Sequence, residues 1–212
     1  MENGAVFTGD IINFTSLNDI DREALIKETT VLIKSWVNNT ADAAIFRGDS
    51  YQILFENTTT AIIKSIQLIC WFKKPFHEKQ FNLSTRISIG IGEIAYKGNS
   101  VLDSDGEAFH LSGRRFDNLE KSELLSINTH SPDKNKQLKI ILMFVNMVVN
   151  EWTPSQAEAI YLILENRKLK QETLAKQLKI HQSGIAKRLK LAHWKEIDKT
   201  IDYIINDIIL YN

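Results

Sequence analysis

Cysteine is nearly absent from this chain of 212 residues, which has only Cys70. A single thiol excludes an internal disulfide and fits a reducing compartment. Its setting, the apolar run IIKSIQLICWF, is that of a thiol buried in a helix. Long apolar runs are missing too. The longest, IILMFVNMVV from Ile140 to Val149, is about half of what a bilayer-spanning helix needs. No positively charged start followed by an apolar stretch is visible, so the expectation is a cytoplasmic protein without a membrane partner. His77, His130, His181 and His193 show no metal-ligand spacing, which with one cysteine argues against a zinc site. There is no internal repeat, no low-complexity tract and no net charge, with 26 basic and 26 acidic residues.

The charge that is present is unevenly spread. Between Asn166 and Glu196 nine Lys or Arg face two acids, a local balance of +7 that leaves the remainder at −7. A basic segment on an otherwise acidic chain suggests a polyanion contact there. Apolar residues make up 43% and charged residues 25%, the range of a globular protein. The length suits one medium domain and a small one.

Periodicity gives the elements. AVFTGDI reads as a buried strand. Asp21 to Val37 has helical spacing through Leu25, Val31 or Leu32, and Trp36. AAIFRGDSYQILFEN reads as two short strands hinged at Gly48-Asp49, and Thr58 to Phe72 as a second helix. Ser84 to Tyr96 alternates with period two. GEAFHLSGRRFDNLEK gives a third helix and ELLSINT a last strand. This β-α-β-β-α-β order followed by α-β predicts an α+β, ferredoxin-like sheet with one face covered by two helices. Composition changes near Ser131-Pro132-Asp133, and everything beyond reads as helix. The expected organisation is a ferredoxin-like domain over residues 1–132, a connector helix over 133–152 and an all-α helix-turn-helix domain over 153–212.

Asp10 ends the first strand and Asp49 lies in the central hairpin turn, 39 residues later. In a βαββ sheet these strands can be neighbours, so both carboxylates converge at one end. Two such carboxylates repel unless a cation lies between them, and Mg²⁺ or Mn²⁺ suits the site while leaving room for phosphate oxygens. Ile11, Ile12, Asn13, Phe14 and Thr15 turn from strand toward helix and offer backbone N–H groups to a phosphate. Gly-Asp pairs are also common turn chemistry. Arg47 touches phosphate or simply pairs with the acids.

These residues carry a resemblance. GDIINFTSL resembles the DIxGFT segment of class III nucleotidyl cyclases, RGDSYQILFEN their GDS-containing hairpin, RISIGIGEI their third core strand, and SDGEAFHLSGRRFD their G-x-x-V-N-x-A-x-R segment. The four occur in order over roughly residues 5–120. With the C-terminal part included, the chain most resembles the bacterial SatD family, which pairs such a domain with a helix-turn-helix. The resemblance implies that Asp10 and Asp49 bind metal, that Arg114 stabilises a transition state, and that Asp103 recognises a base. It also implies a head-to-tail homodimer with composite sites. The family's ribose-orienting Asn is His110 here, its base-selecting Lys is Ile45, and the Gly of DIxGFT is Asn13. A metal–triphosphate grip is thus kept while base selection and ribose positioning are altered. If the domain turns over, Arg114 and His110 are its catalytic residues. His110 otherwise has a structural role on its helix.

LKQETLAKQLKIHQSGIAKRLKLAHW carries the other signal. Leu174, Ala175, Leu178, Ile180, Ile185 and Leu189 form the apolar set of a helix-turn-helix, with Lys179 at a turn position that needs a positive φ. The second helix would start near Gln182 and display Gln182, Ser183, Lys187, Arg188 and Lys190, polar groups at its start for base edges and cations for phosphates. The alternative is a helical bundle with a solvated basic face or a dimer interface. Three functions follow: a DNA-binding transcription regulator whose cyclase-like domain senses a nucleotide or phosphorylated small molecule, an active nucleotidyl cyclase controlled by its helical part, or a dimerising DNA binder with a vestigial nucleotide site.

Overall fold

The computed structural model describes residues 2–210; Met1, Tyr211 and Asn212, at the ends of the expected domains, lie outside the described residues. Over the described residues the fold is α+β, a five-stranded mixed sheet with eight α-helices. The strands are β1 (Glu2–Ile12), β2 (Ala43–Phe46), β3 (Ser50–Phe55), β4 (Ser84–Ile94) and β5 (Leu125–Thr129), in spatial order β2-β3-β1-β4-β5. β1 lies antiparallel between β3 and β4, with Phe7 opposite Ile53 on one side and Ile89 on the other. β5 pairs parallel to β4.

Period-two alternation sorts the side chains onto two faces. Ala5, Phe7, Tyr51, Ile53, Phe55, Ile87 and Ile89 face α1 (Asp19–Lys34), α2 (Thr58–Lys73) and α4 (Pro132–Asn150). Val6 and Leu54 face the other way and pack with Ala108 and Phe109 of α3 (Glu107–Phe116). The sheet is therefore covered on both faces, where the order of elements alone suggested one. Gly90 makes the second cover possible. A Cβ there would sit 2.0 Å from the Ala108 carbonyl oxygen, so α3 rests directly on the bare backbone of β4.

The buried stripe of α1 is Asp21, Leu25, Thr29 and Ile33, and Val31 is 66% exposed. Thr29 hides this stripe from a hydrophobicity reading because it is polar. Its hydroxyl accepts the Trp71 indole N–H at 3.0 Å, which satisfies both groups in the interior. α2 is buried on nearly every side because α5 (Pro154–Glu165) packs on its outer surface. Cys70 sits there with no exposure, and burial pushes its thiol pKa up, as expected of an inert core thiol.

α4 begins at a Ser131 N-cap with Pro132 in its first turn and lies along β5. α5, α6 (Gln171–Gln177), α7 (Gln182–Leu191) and α8 (Trp194–Tyr203) follow. α5 opens with a capping box between Thr153 and Gln156. Between α6 and α7 the chain reverses over Leu178–His181 with Lys179 at φ 52, the left-handed conformation its position requires. Leu174, Ala175, Ile185 and Leu189 are buried, with Leu178 and Ile180 packed against them. After α8 the chain winds as a π-helix over Ile204–Ile209, and Ile204, Ile205 and Ile208 are buried. One apolar core runs from the sheet through α2 and α5 to α8, sealed by a Trp152 indole N–H bond to the Ala192 carbonyl at 2.8 Å.

Candidate functional site

The sheet register brings the first two predicted acids to one end. Asp10, two residues before the end of β1, is paired with Ser50, and the Ile11 N–H donates to the Asp49 carbonyl at 2.9 Å, so Asp49, in the hairpin turn just before β3, is brought close to Asp10. That bond also commits the Ile11 amide, which the sequence had offered to a phosphate. The two residues have opposite strand parity, and their side chains meet different surroundings. Asp10 lies beside Arg86 of β4, which donates from Nε to Oδ1 at 3.1 Å and from its terminal amino group to Oδ2. This fork-to-fork pair fixes both carboxylate oxygens. The hydrogen bond to Asp10 raises the pKa of Arg86 further, so it remains a cation. Its guanidinium lies 5.6 Å from the ring centre of Phe116 at the end of α3. Asp49 touches the Ser50 hydroxyl at 3.4 Å.

Beneath this pair Tyr51 is fully buried, its hydroxyl 2.5 Å from Thr85 Oγ1, and Thr85 donates on to the Asp10 carbonyl at 2.6 Å. Burial pushes the Tyr51 hydroxyl pKa up, which keeps it neutral. Among the described residues no group of three or more His, Cys, Asp or Glu is placed to hold a metal ion. Both Asp10 oxygens are engaged by Arg86, so Mg²⁺ or Mn²⁺ between Asp10 and Asp49 would have to share or displace that pair. The chain's own guanidinium neutralises the carboxylate instead.

Asn13 adopts a left-handed conformation, φ 61, and leads into a short 3₁₀ turn over Phe14–Ser16. Arg22 of α1 orders that turn by donating to the Thr15 carbonyl at 2.6 Å and the Phe14 carbonyl at 3.4 Å, with its guanidinium 5.7 Å from the Phe14 ring centre. Phe14 and Arg22 also line a cleft of about 630 Å³ between α1 and the edge strand β2. Arg47 and Gly48, both at positive φ in the hairpin turn, border it as well. Lys34 makes a third cation against one acid, Glu23. The cleft thus joins an aromatic ring, an apolar floor of Ala43, Ala44 and Ile45, and an excess of positive charge, a combination suited to an anionic small molecule.

The remaining predicted residues are spread out. Asp103 ends a 3₁₀ turn over Val101–Asp103. His110 is exposed on α3 with its Nε2 3.0 Å from Asp105, and Arg114 is exposed in the last turn of the same helix. On α7, Gln182, Ser183, Lys187 and Lys190 are exposed. Ser183 is tied to the N-cap His181, whose Nδ1 accepts the Ser183 N–H at 3.2 Å and lies 2.7 Å from its hydroxyl. Arg188 is turned inward. It donates to the Ser155 carbonyl at 3.3 Å and to Glu158 at 3.4 Å, bracing α7 against α5.

Sequence reasoning passed over Arg86, Arg22 and Lys34. Only the strand register reveals that Arg86 meets Asp10, and only the 3₁₀ turn brings the Phe14 and Thr15 carbonyls to Arg22. No family model matches the chain, and comparisons with curated proteins and with solved structures return no match.

Proposed function

We propose that the protein binds duplex DNA through α7 and uses its α/β part to sense an anionic small molecule, acting as a transcription regulator. The observation that carries this reading is the outer surface of α7. It presents Gln182 and Ser183 at its start and Lys187 and Lys190 beyond them, all exposed, after a tight left-handed turn at Lys179. In this reading α6 and α7 form a helix-turn-helix, with α5 as the third helix of its core. The first polar side chains of α7 meet base edges, and the lysines meet phosphates.

The strand order supports a ferredoxin-like module over β1 to β4, extended by β5, and the four motif resemblances favour a cyclase-like ancestry. The nucleotide or phosphorylated ligand of that module fits the cationic cleft beside Phe14, Arg22 and Arg47 better than a metal site at Asp10. Turnover as a nucleotidyl cyclase has less support, since Asp10 is held by Arg86. A dimer would present two recognition helices to two half-sites.

The test is a double charge reversal, Lys187→Glu with Lys190→Glu. Both side chains are exposed, so the fold should be unaffected. Affinity for a 20-base-pair duplex should fall by at least roughly thirty-fold, because two phosphate contacts become repulsions. Arg188→Gln should instead show as a lowered melting temperature, as its bonds to α5 are lost. Unchanged affinity of the double variant would overturn the assignment of α7.

A further inference from the structure

α4 carries a face that the rest of the fold leaves uncovered. Ile140, Met143, Phe144 and Met147 recur at three- and four-residue spacing along one side and are 57, 55, 56 and 62% exposed. Tyr203 of α8, 47% exposed, continues the patch, and a groove of about 400 Å³ between α4 and α8 runs beside Phe144. The opposite side of the same helix, Leu138, Leu142, Val145 and Val149, is already buried in the core. Exposed apolar side chains are ordinary singly, but a contiguous stripe of this kind marks a surface that is covered in the working protein.

We propose that this face is covered by a second copy of the chain, with the two α4 helices packed antiparallel about a two-fold axis between Met143 and Phe144. The residue order is self-complementary about that point. Ile140 falls opposite Met147 of the other copy, and Met143 opposite Phe144. The exposed ends then match in charge: Lys136, which within its own helix lies 3.2 Å from the exposed Asp133, falls opposite the exposed Glu151 of the other chain. Two-fold contacts require this kind of mutual fit, since the same patch must serve as both halves. Parallel packing would instead place Lys136 against Lys136. Five half-exposed side chains offer on the order of 500 Å² of apolar area. That is most of the ~800 Å² per partner found in a standard-size stable interface, the polar rim supplying the rest. The pairing depends only on this stripe and holds whatever α7 binds.

Sedimentation equilibrium of the full chain at 1–50 µM tests it. The expected mass is twice 24.3 kDa. Phe144→Glu should yield monomers whose circular dichroism and melting curve show an intact fold, since the side chain is solvent-exposed. Lys136→Glu and Glu151→Lys should each weaken the dimer by roughly ten-fold through like-charge contacts, and combining them in one chain should restore it. A wild-type monomer at 50 µM would overturn the proposal. So would a dimer indifferent to Phe144→Glu, or a charge-swap double variant no stronger than its single parents. DNA affinity measured on the same variants separates this interface from the reading of α7.

Discussion

Replacing Asn146 by Ala is expected to lower stability by about 3–4 kcal/mol, among the largest effects of any single side chain here. Asn146 lies in the C-terminal third of α4 and is only 5% exposed. Its Oδ1 accepts the backbone N–H groups of Leu124 at 3.1 Å and Leu125 at 2.9 Å, and its Nδ2 donates to the Leu125 carbonyl at 2.9 Å. One amide therefore satisfies three main-chain groups at the entry to the sheet's last strand. Ala leaves all three buried without partners, in a site too enclosed for water to replace them easily. For a chain of this length the loss corresponds to a melting temperature lower by about 10 °C. Asn150→Ala, one turn along, removes a more exposed bond to the Ser122 carbonyl and should cost about 1 kcal/mol. Equal effects of the two variants in a thermal melt would contradict this account of β5.

Gly90→Ala is expected to be as damaging for a steric reason. The added Cβ would lie 2.0 Å from the Ala108 carbonyl oxygen and 2.5 Å from the Ser112 amide nitrogen, both backbone atoms of α3 that no rotamer change can move. The helix would have to lift from the sheet, pulling Phe109 from its contact with Val6 and Leu54 and breaking the Thr8–Ser112 hydroxyl pair at 3.0 Å. The expected cost is about 3 kcal/mol or more, read as a lower urea midpoint. Gly113, on the same helix, has nothing within 4 Å of its missing Cβ. Gly113→Ala should raise stability by about 0.5–1 kcal/mol, since Ala favours the helix more than Gly does. Opposite signs at these two glycines are the signature of close helix–sheet contact at one and open space at the other.

Much of this architecture is legible in the chain because local pattern and tertiary placement agree. The strand at Ser84, the hairpin around Gly48 and the helix from Gln182 to Leu191 all follow from periodicity and turn chemistry, and Lys179 takes the positive φ that its place in the turn demands. What periodicity misses are polar residues doing buried work. Thr29 interrupts the apolar stripe of α1 and Asn146 the longest apolar run, and both do so to satisfy partners distant in sequence. The coverage of the second face was hidden because Gly90 contributes no apolar side chain to it. The candidate site was legible in part. Asp10 and Asp49 do reach the same end of the sheet, but register alone decides that Arg86 holds Asp10. Arg188 reads as a surface cation until α5 is seen to offer Glu158 and the Ser155 carbonyl.

The most direct measurement is the salt dependence of DNA affinity, followed by fluorescence anisotropy of a labelled duplex between 50 and 200 mM salt. With Lys187, Lys190 and the turn residue Lys179 exposed, each chain can neutralise about three phosphates, so log affinity should fall against log salt with a slope near −3 per protomer. A protein that leaves the duplex free at 50 mM salt, or binds it with no salt dependence, would contradict the assignment of α7 as a DNA-reading helix.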